Sequence, residues 1–147
     1  MSRSKSRSAA RLAAVQASYQ RSMEHTPTAQ LIHEFHQHRL GATIEDVEYN
    51  EAEVAFFDDL VTGSIAREAE LDAAISTRLS TGWSLDRLDK PMRALLRVAT
   101  YELLARGDVP VKTVINEYID VADAFYDQRE KGFVNGLLDA VAKDVRK

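Results

Sequence analysis

The sequence predicts an all-α protein folded as one domain, and three observations carry that expectation. Apolar residues recur at i, i+3, i+4 and i+7 through most of the 147 residues. No stretch alternates apolar and polar residues with period two for long enough to make a strand. The composition, 45% hydrophobic and 29% charged with only 6 Gly and 3 Pro, suits a chain that buries a core, and the length suits a single domain of roughly 100 to 200 residues. No internal repeat or low-complexity linker divides it.

Taken in order, the first helix is expected to carry Leu12, Val15, Tyr19 and Met23 as its stripe, running on from a basic start. Residues 1–7, where serine alternates with basic residues, are expected as a flexible basic arm. Thr26 and Pro27 form a cap-and-first-turn pair for a second helix with Leu31, Ile32 and Phe35 inward. A long helical stretch from Glu51 to about Leu79 has Val54, Phe57, Val61 and Ile65 on one phase and Leu71, Ile75 and Leu79 on another. Gly63 is the expected break or bend in it.

Asp89 and Pro91 open the next helix, with Met92, Leu95, Leu96, Ala99 and Leu103 as its stripe and Gly107 as a left-handed stop. The most regular pattern runs from Pro110 to Tyr126, with Val111, Val114, Ile115, Tyr118, Ile119, Ala122, Phe125 and Tyr126 on one face. The last helix carries Phe133, Val134, Leu137, Leu138, Val141 and Val145. Its interior Gly136 costs about 1 kcal/mol relative to alanine, which implies a close helix contact at that point.

The absence of cysteine excludes a disulfide framework, a thiolate metal site and a thiol nucleophile. No run approaches the ~18 apolar residues of a membrane span, and Met1 to Arg11 lacks the apolar centre of a signal peptide, so a soluble cytoplasmic protein is expected. His33, Glu34, His36 and His38 are the one cluster that resembles a metal site, but the spacing lacks the i, i+4 histidine pair with a third ligand, so a solvated helix face is the better account and no metal is expected. Asp58 with Asp59 and Glu68 with Glu70 sit beside apolar positions on outer faces, without surroundings that would tune them for proton transfer. With no phosphate-cradling glycine loop and no Ser-His-Asp pattern, an enzyme is not expected.

Charge is distributed unevenly. The net formal charge is −4, yet the first 23 residues hold five basic residues (Arg3, Lys5, Arg7, Arg11 and Arg21) and no acidic one. A basic first helix facing an acidic remainder points to nucleic acid, with Arg7 and Arg11 at i, i+4 as phosphate contacts and Gln16 and Tyr19 following along the helix.

The segment from Trp83 to Asp139 sharpens this. L-R-V-A-x-Y-E-L (Leu96 to Leu103), D-V-P (Asp108 to Pro110), I-N-E (Ile115 to Glu117) and F-V-N-G-x-L-D (Phe133 to Asp139) occur in order, and R-x-x-A-V-Q-A-x-Y spans Arg11 to Tyr19. Together they resemble the NusB family of bacterial transcription antitermination factors over nearly the whole chain. The resemblance implies about seven helices in two small bundles packed together, with no cofactor and no reaction. It implies binding to the boxA element of nascent ribosomal RNA as a complex with NusE, the ribosomal small-subunit protein, alongside other Nus factors and RNA polymerase. Some members also self-associate as homodimers. Carried onto this sequence, the RNA-binding residues are Arg7, Arg11, Gln16, Tyr19, Lys131 and Phe133.

The chain departs from the family pattern in two places. Ser8, Ala9 and Ala10 stand between Arg7 and Arg11 where many members have a dense arginine run, which predicts weaker RNA affinity. Glu130 stands where a small serine is usual, with Arg129 and Lys131 beside it. Asn116 and Asn135 are expected as structural amides between helices, Arg97, Tyr101 and Glu102 as candidates for an internal ion pair, and Phe133 is divided between core and RNA stacking. Two rivals accompany the RNA-binding reading. One is a helical protein-interaction adaptor without RNA contacts. The other is the leading domain of an RNA cytosine methyltransferase, which a glycine-rich cofactor domain would mark; these 147 residues contain none.

Overall fold

A computed structural model describes residues 3–37, 51–80 and 82–146, except the side chains of 3, 4 and 51–53. The described residues form seven α-helices: α1 Arg3–Glu24, α2 Thr28–Phe35, α3 Glu51–Ala66, α4 Glu68–Arg78, α5 Lys90–Ala105, α6 Val111–Asp123 and α7 Gln128–Val145. One 3-10 turn, Leu85–Arg87, precedes α5, and there is no strand among the described residues.

Helix α5 joins the two halves. From Ala94 to Leu103 every side chain except Arg97 is buried, because α1 and α3 pack on it from one bundle and α4, α6 and α7 from the other. A helix buried on nearly every side belongs in the centre of a fold, and the polar groups it carries inward, such as Glu102, need partners there. Asp89 starts it as expected, its carboxylate accepting from the Met92 N–H at 2.9 Å. The two bundles share one continuous apolar core.

Several local expectations change in the structure. The helix begins at Arg3 and Ser6 is already buried, so most of the basic arm forms the first turns of α1. The inner face of α1 is Ala10, Ala13, Ala14, Val15 and Ala17, while Tyr19 and Met23 are exposed. Small residues let α1 lie close against α3 and α5; of the expected stripe Val15 is buried and Leu12 packs against the core, while size-weighted periodicity overlooks the alanines. Helix α1 ends at His25, whose φ of 57° supplies the left-handed stop without a glycine. Pro27 occupies the N-cap of α2, so the helix starts one residue later than the Thr26–Pro27 pairing expects.

The long central stretch breaks at Arg67 (φ −110°, ψ 21°) rather than at Gly63. Gly63 has a different reason to be glycine: a Cβ there would stand 2.1 Å from Cζ of Tyr101, so only glycine admits that ring. Gly107 is not left-handed either, since Gly82 is the one positive-φ glycine among the described residues. The last carbonyls of α5 are satisfied instead by Arg146. Its guanidinium donates to the carbonyls of Leu103 (2.7 Å), Arg106 (2.7 Å) and Val109 (2.5 Å), with Glu102 O at 3.5 Å. Helix α6 stops at Asp123, leaving Phe125 exposed. Gly136 has nothing near the position of a Cβ, so the expected close helix contact is absent there.

Candidate nucleic-acid interface

The basic first helix turns one of its cations inward. Arg11 is 3% exposed, with Nε 2.9 Å and Nη2 2.8 Å from the carboxylate of fully buried Glu102, and Nη1 lies 3.3 Å from Glu117. The Tyr118 hydroxyl donates to the same Glu102 carboxylate at 2.8 Å. Burial works against the charge on Arg11, yet the bond to Glu102 and its charge hold the guanidinium above its ordinary pKa. Arg11 is therefore corrected from a phosphate contact to half of an internal ion pair between α1 and α5. The internal pair anticipated around Glu102 is present, and Arg97 pairs separately with Asp72 at 2.7 Å.

The gap in the arginine run has a packing reason. Ala10 is fully buried and the Ser8 hydroxyl donates to Glu117 at 2.8 and 3.0 Å, so neither position is an open surface that an arginine would extend. Farther along α1, Arg21 lies 3.3 Å from Glu68. Arg7 lines a cleft of about 480 Å³ together with Arg11, Asp108, Pro110, Thr113 and Glu117. Its guanidinium lies 4.7 Å from the centre of the Phe56 ring, which also has Arg11 and Arg106 at 5.0 Å. Gln16 is half-buried and Tyr19 is 37% exposed on the same helix.

A second opening of about 420 Å³ lies at the junction of α5 and α7, lined by Trp83, Arg87, Tyr126, Arg129, Glu130 and Phe133 among others. Phe133, divided in the sequence between core and ligand, is 37% exposed, and Trp83 is 56% exposed. Asp89 positions this wall twice, capping α5 and accepting from the Tyr126 hydroxyl. Burial and the Asp89 carboxylate raise the Tyr126 pKa well above the usual phenol value. Lys131 does not line this opening; its ammonium lies 2.7 Å from Asp123. Of the six predicted residues, Arg7 and Arg11 line one cleft, Phe133 lines the other, and Gln16, Tyr19 and Lys131 line neither; the two clefts have no lining residue in common.

Asn116 and Asn135 are exposed, which removes them from the interior amide role. His36 Nε2 lies 2.6 Å from Asp58, His33 is exposed, and His38 lies outside the described residues. The neighbouring carboxylates are ion-paired more than merely solvated: Asp59 accepts from Tyr101 at 2.6 Å and lies 3.3 Å from Arg106, and Glu70 lies 2.9 Å from Arg67. Sequence reasoning missed Asp108 and Trp83 as parts of the two clefts, and Phe56 as the ring on which Arg7, Arg11 and Arg106 converge. Exposed Trp83, in a polar stretch ahead of a capped helix, was the one local signal available.

Comparison with known proteins agrees with this architecture. The NusB family model matches residues 8–143. The chain is 68% identical over 145 residues, 99% of its length and 97% of the relative's, to the transcription antitermination protein NusB of Sphingopyxis alaskensis. It is 65% identical over 142 residues, 97% of its length and 96% of the relative's, to that of Novosphingobium aromaticivorans. A structure of T. maritima NusB superposes with a TM-score of 0.81 at 30% identity, covering 96% of this chain and 93% of that one. A structure of antitermination factors NusB and NusE in complex with dsRNA, at 23% identity and a TM-score of 0.79 over 95% of this chain and 98% of that one, shares the fold.

Proposed function

Since the chain belongs to the NusB family of transcription antitermination proteins, a binding family and not an enzymatic one, we propose that it binds the boxA element of nascent ribosomal RNA together with NusE. In that complex it helps RNA polymerase, alongside other Nus factors, to read through terminators in ribosomal RNA operons, acting in the cytoplasm. No described helix is long and apolar enough to cross a membrane, and the solved relative in complex with NusE and dsRNA supports both partners.

The observation that carries the RNA reading is Phe133. It stands on the stripe of α7 that packing would bury, yet it is partly exposed and lines the same opening as exposed Trp83, Arg87 and Arg129. Unstacked RNA bases stack on aromatic faces and guanidinium planes, and this opening supplies both. Arg7 supplies phosphate affinity at the other cleft, with Gln16 and Tyr19 farther along the same helix. Lys131 adds positive charge near Phe133, tempered by its pairing with Asp123.

A fluorescence-anisotropy titration tests the proposal: labelled boxA RNA against a scrambled RNA of equal length, with and without NusE, at two salt concentrations. Sequence-preferring binding that strengthens with NusE and weakens with salt is the expected result. One structural fact favours the adaptor reading, namely that Arg11 and Arg21 are engaged by carboxylates within the fold. Under that reading Phe133→Ala and Arg7→Ala leave every binding activity unchanged and boxA is not preferred.

A further inference from the structure

The cleft beside Arg7 contains a feature that phosphate binding does not explain. Two carboxylates, Asp108 and Glu117, line it together with Arg7 and Arg11. A carboxylate beside an RNA backbone repels it, so acidic residues in such a cleft weaken binding unless they accept hydrogen bonds from base edges.

The four charges have different engagements. Arg11 is held by Glu102, and Glu117 accepts from Ser8 and lies 3.3 Å from Arg11. Asp108 is 64% exposed, and Arg106 Nε lies 3.6 Å from it, beyond hydrogen-bond distance. Its carboxylate, ion-paired with Arg106 but not hydrogen-bonded to it, therefore retains acceptor capacity in the cleft wall. The loop that bears it is built firmly: the Arg146 guanidinium holds the carbonyls of Arg106 and Val109 on either side of Asp108, the Val109 N–H donates to Arg106 O at 3.0 Å, and Pro110 fixes its own φ. The buried Phe56 ring supports the Arg7 guanidinium from within the fold. A site whose walls are set before the ligand arrives loses little entropy on binding.

We propose that this cleft holds one unstacked nucleotide of the RNA, with the Asp108 carboxylate reading the base edge, and that the base is guanine. Guanine presents two adjacent donors, N1–H and the N2 amino group, which match the two oxygens of one carboxylate. Cytosine and adenine place a ring-nitrogen acceptor beside their amino group, where it opposes a carboxylate. Uracil flanks its single N–H with two carbonyl acceptors. The Thr113 hydroxyl, which can donate as well as accept, lines the same space, and Arg7 is placed for the phosphate of that nucleotide. A volume of about 480 Å³ falls in the range of small-ligand pockets. The inference rests on the RNA-binding reading above and names the base that its Arg7 cleft accepts.

The test crosses Asp108→Ala with inosine substitution in the anisotropy assay, using the full chain with NusE. Inosine lacks the guanine N2 amino group, and it replaces each guanosine of the boxA RNA in turn. At one position inosine is expected to weaken binding about tenfold to the parent chain and to add nothing to the Asp108→Ala loss, which is about tenfold itself. On scrambled RNA, Asp108→Ala binds equally or more tightly, because a repulsive charge has gone. Circular dichroism checks that this exposed substitution leaves the fold intact. If boxA preference is present but Asp108→Ala changes all RNAs alike, or every inosine is neutral, or a cytidine-to-uridine change alone couples to Asp108, the guanine pocket is overturned and the RNA reading stands. If the parent chain shows no boxA preference, both fall together.

Discussion

Arg7 and Arg11 stand one helical turn apart on α1 and share the Phe56 ring, but only Arg11 is buried in an ion pair with Glu102. Removing one partner of a buried ion pair leaves the other charge uncompensated, so Arg11→Ala should cost roughly 3–5 kcal/mol of stability, measured by urea denaturation. Arg7→Ala should cost less, about 0.5–2 kcal/mol for its lost contact with the Phe56 ring, while reducing the salt dependence of RNA binding by about one phosphate contact. Equal stability losses in the two variants would contradict the internal role of Arg11. Gly63 makes a second contrast. A methyl group there meets the Tyr101 ring at 2.1 Å, and Gly63→Ala should destabilise by about 1–3 kcal/mol. Replacing Tyr101 with leucine in the same chain should restore part of that loss, a coupling that a double-mutant cycle would read.

At the scale of elements, helix ends follow distant partners as often as local residues. The end of α5 is closed by Arg146, 40 residues beyond Arg106, and by no glycine. Arg146→Ala should cost about 2–3 kcal/mol, as expected for charge-assisted bonds to several carbonyls, and hydrogen exchange should accelerate in the α5–α6 loop before the rest of the molecule. Helix α7 shows the converse. Gly132 and Gly136 lie one turn apart with nothing near the position of a Cβ on either, so packing within the chain does not require them. Gly136→Ala should raise stability by about 0.5–1 kcal/mol, and a thermal melt without that gain would reveal an intramolecular constraint missing from the contacts around α7.

At the scale of the whole molecule, α5 is a shared spine, and buried phenols tie it to its neighbours. Tyr101 is pushed up to about 12 by burial and by its bond to Asp59, and burial with the Glu102 charge raises Tyr118 well above the usual phenol value. In the unfolded chain these phenols ionise near pH 10. The folded state keeps its protons to higher pH, so the stability they contribute is fully present below about pH 10 and is lost as pH rises toward and beyond about 12. Tyr101→Phe should make the decline between those limits shallower, as denaturation at stepped alkaline pH would show. An unchanged slope would mean that Tyr101 ionises as freely in the folded protein as in the unfolded one.

The all-helical class, most of the helices and the family were legible in the residues alone, because stripes such as Val114, Ile115 and Tyr118 on α6 or Val134, Leu137 and Leu138 on α7 report what one helix must bury. The same periodicity misread the alanine face of α1, where closeness of approach and not side-chain size decides what is buried. Phe133 was recognised as an alternative but could not be assigned, since a residue at the margin of a stripe belongs to core or surface according to its neighbours on other helices. The pairing of Arg11 with Glu102, the ring of Tyr101 over Gly63 and the capping of α5 by Arg146 join residues 91, 38 and about 40 positions apart. Sequence determined which segments became helices, through hydrogen bonds and side chains within a few residues of one another. Only the tertiary structure decided which charges face water, because desolvation and ion pairing depend on the distances between helices.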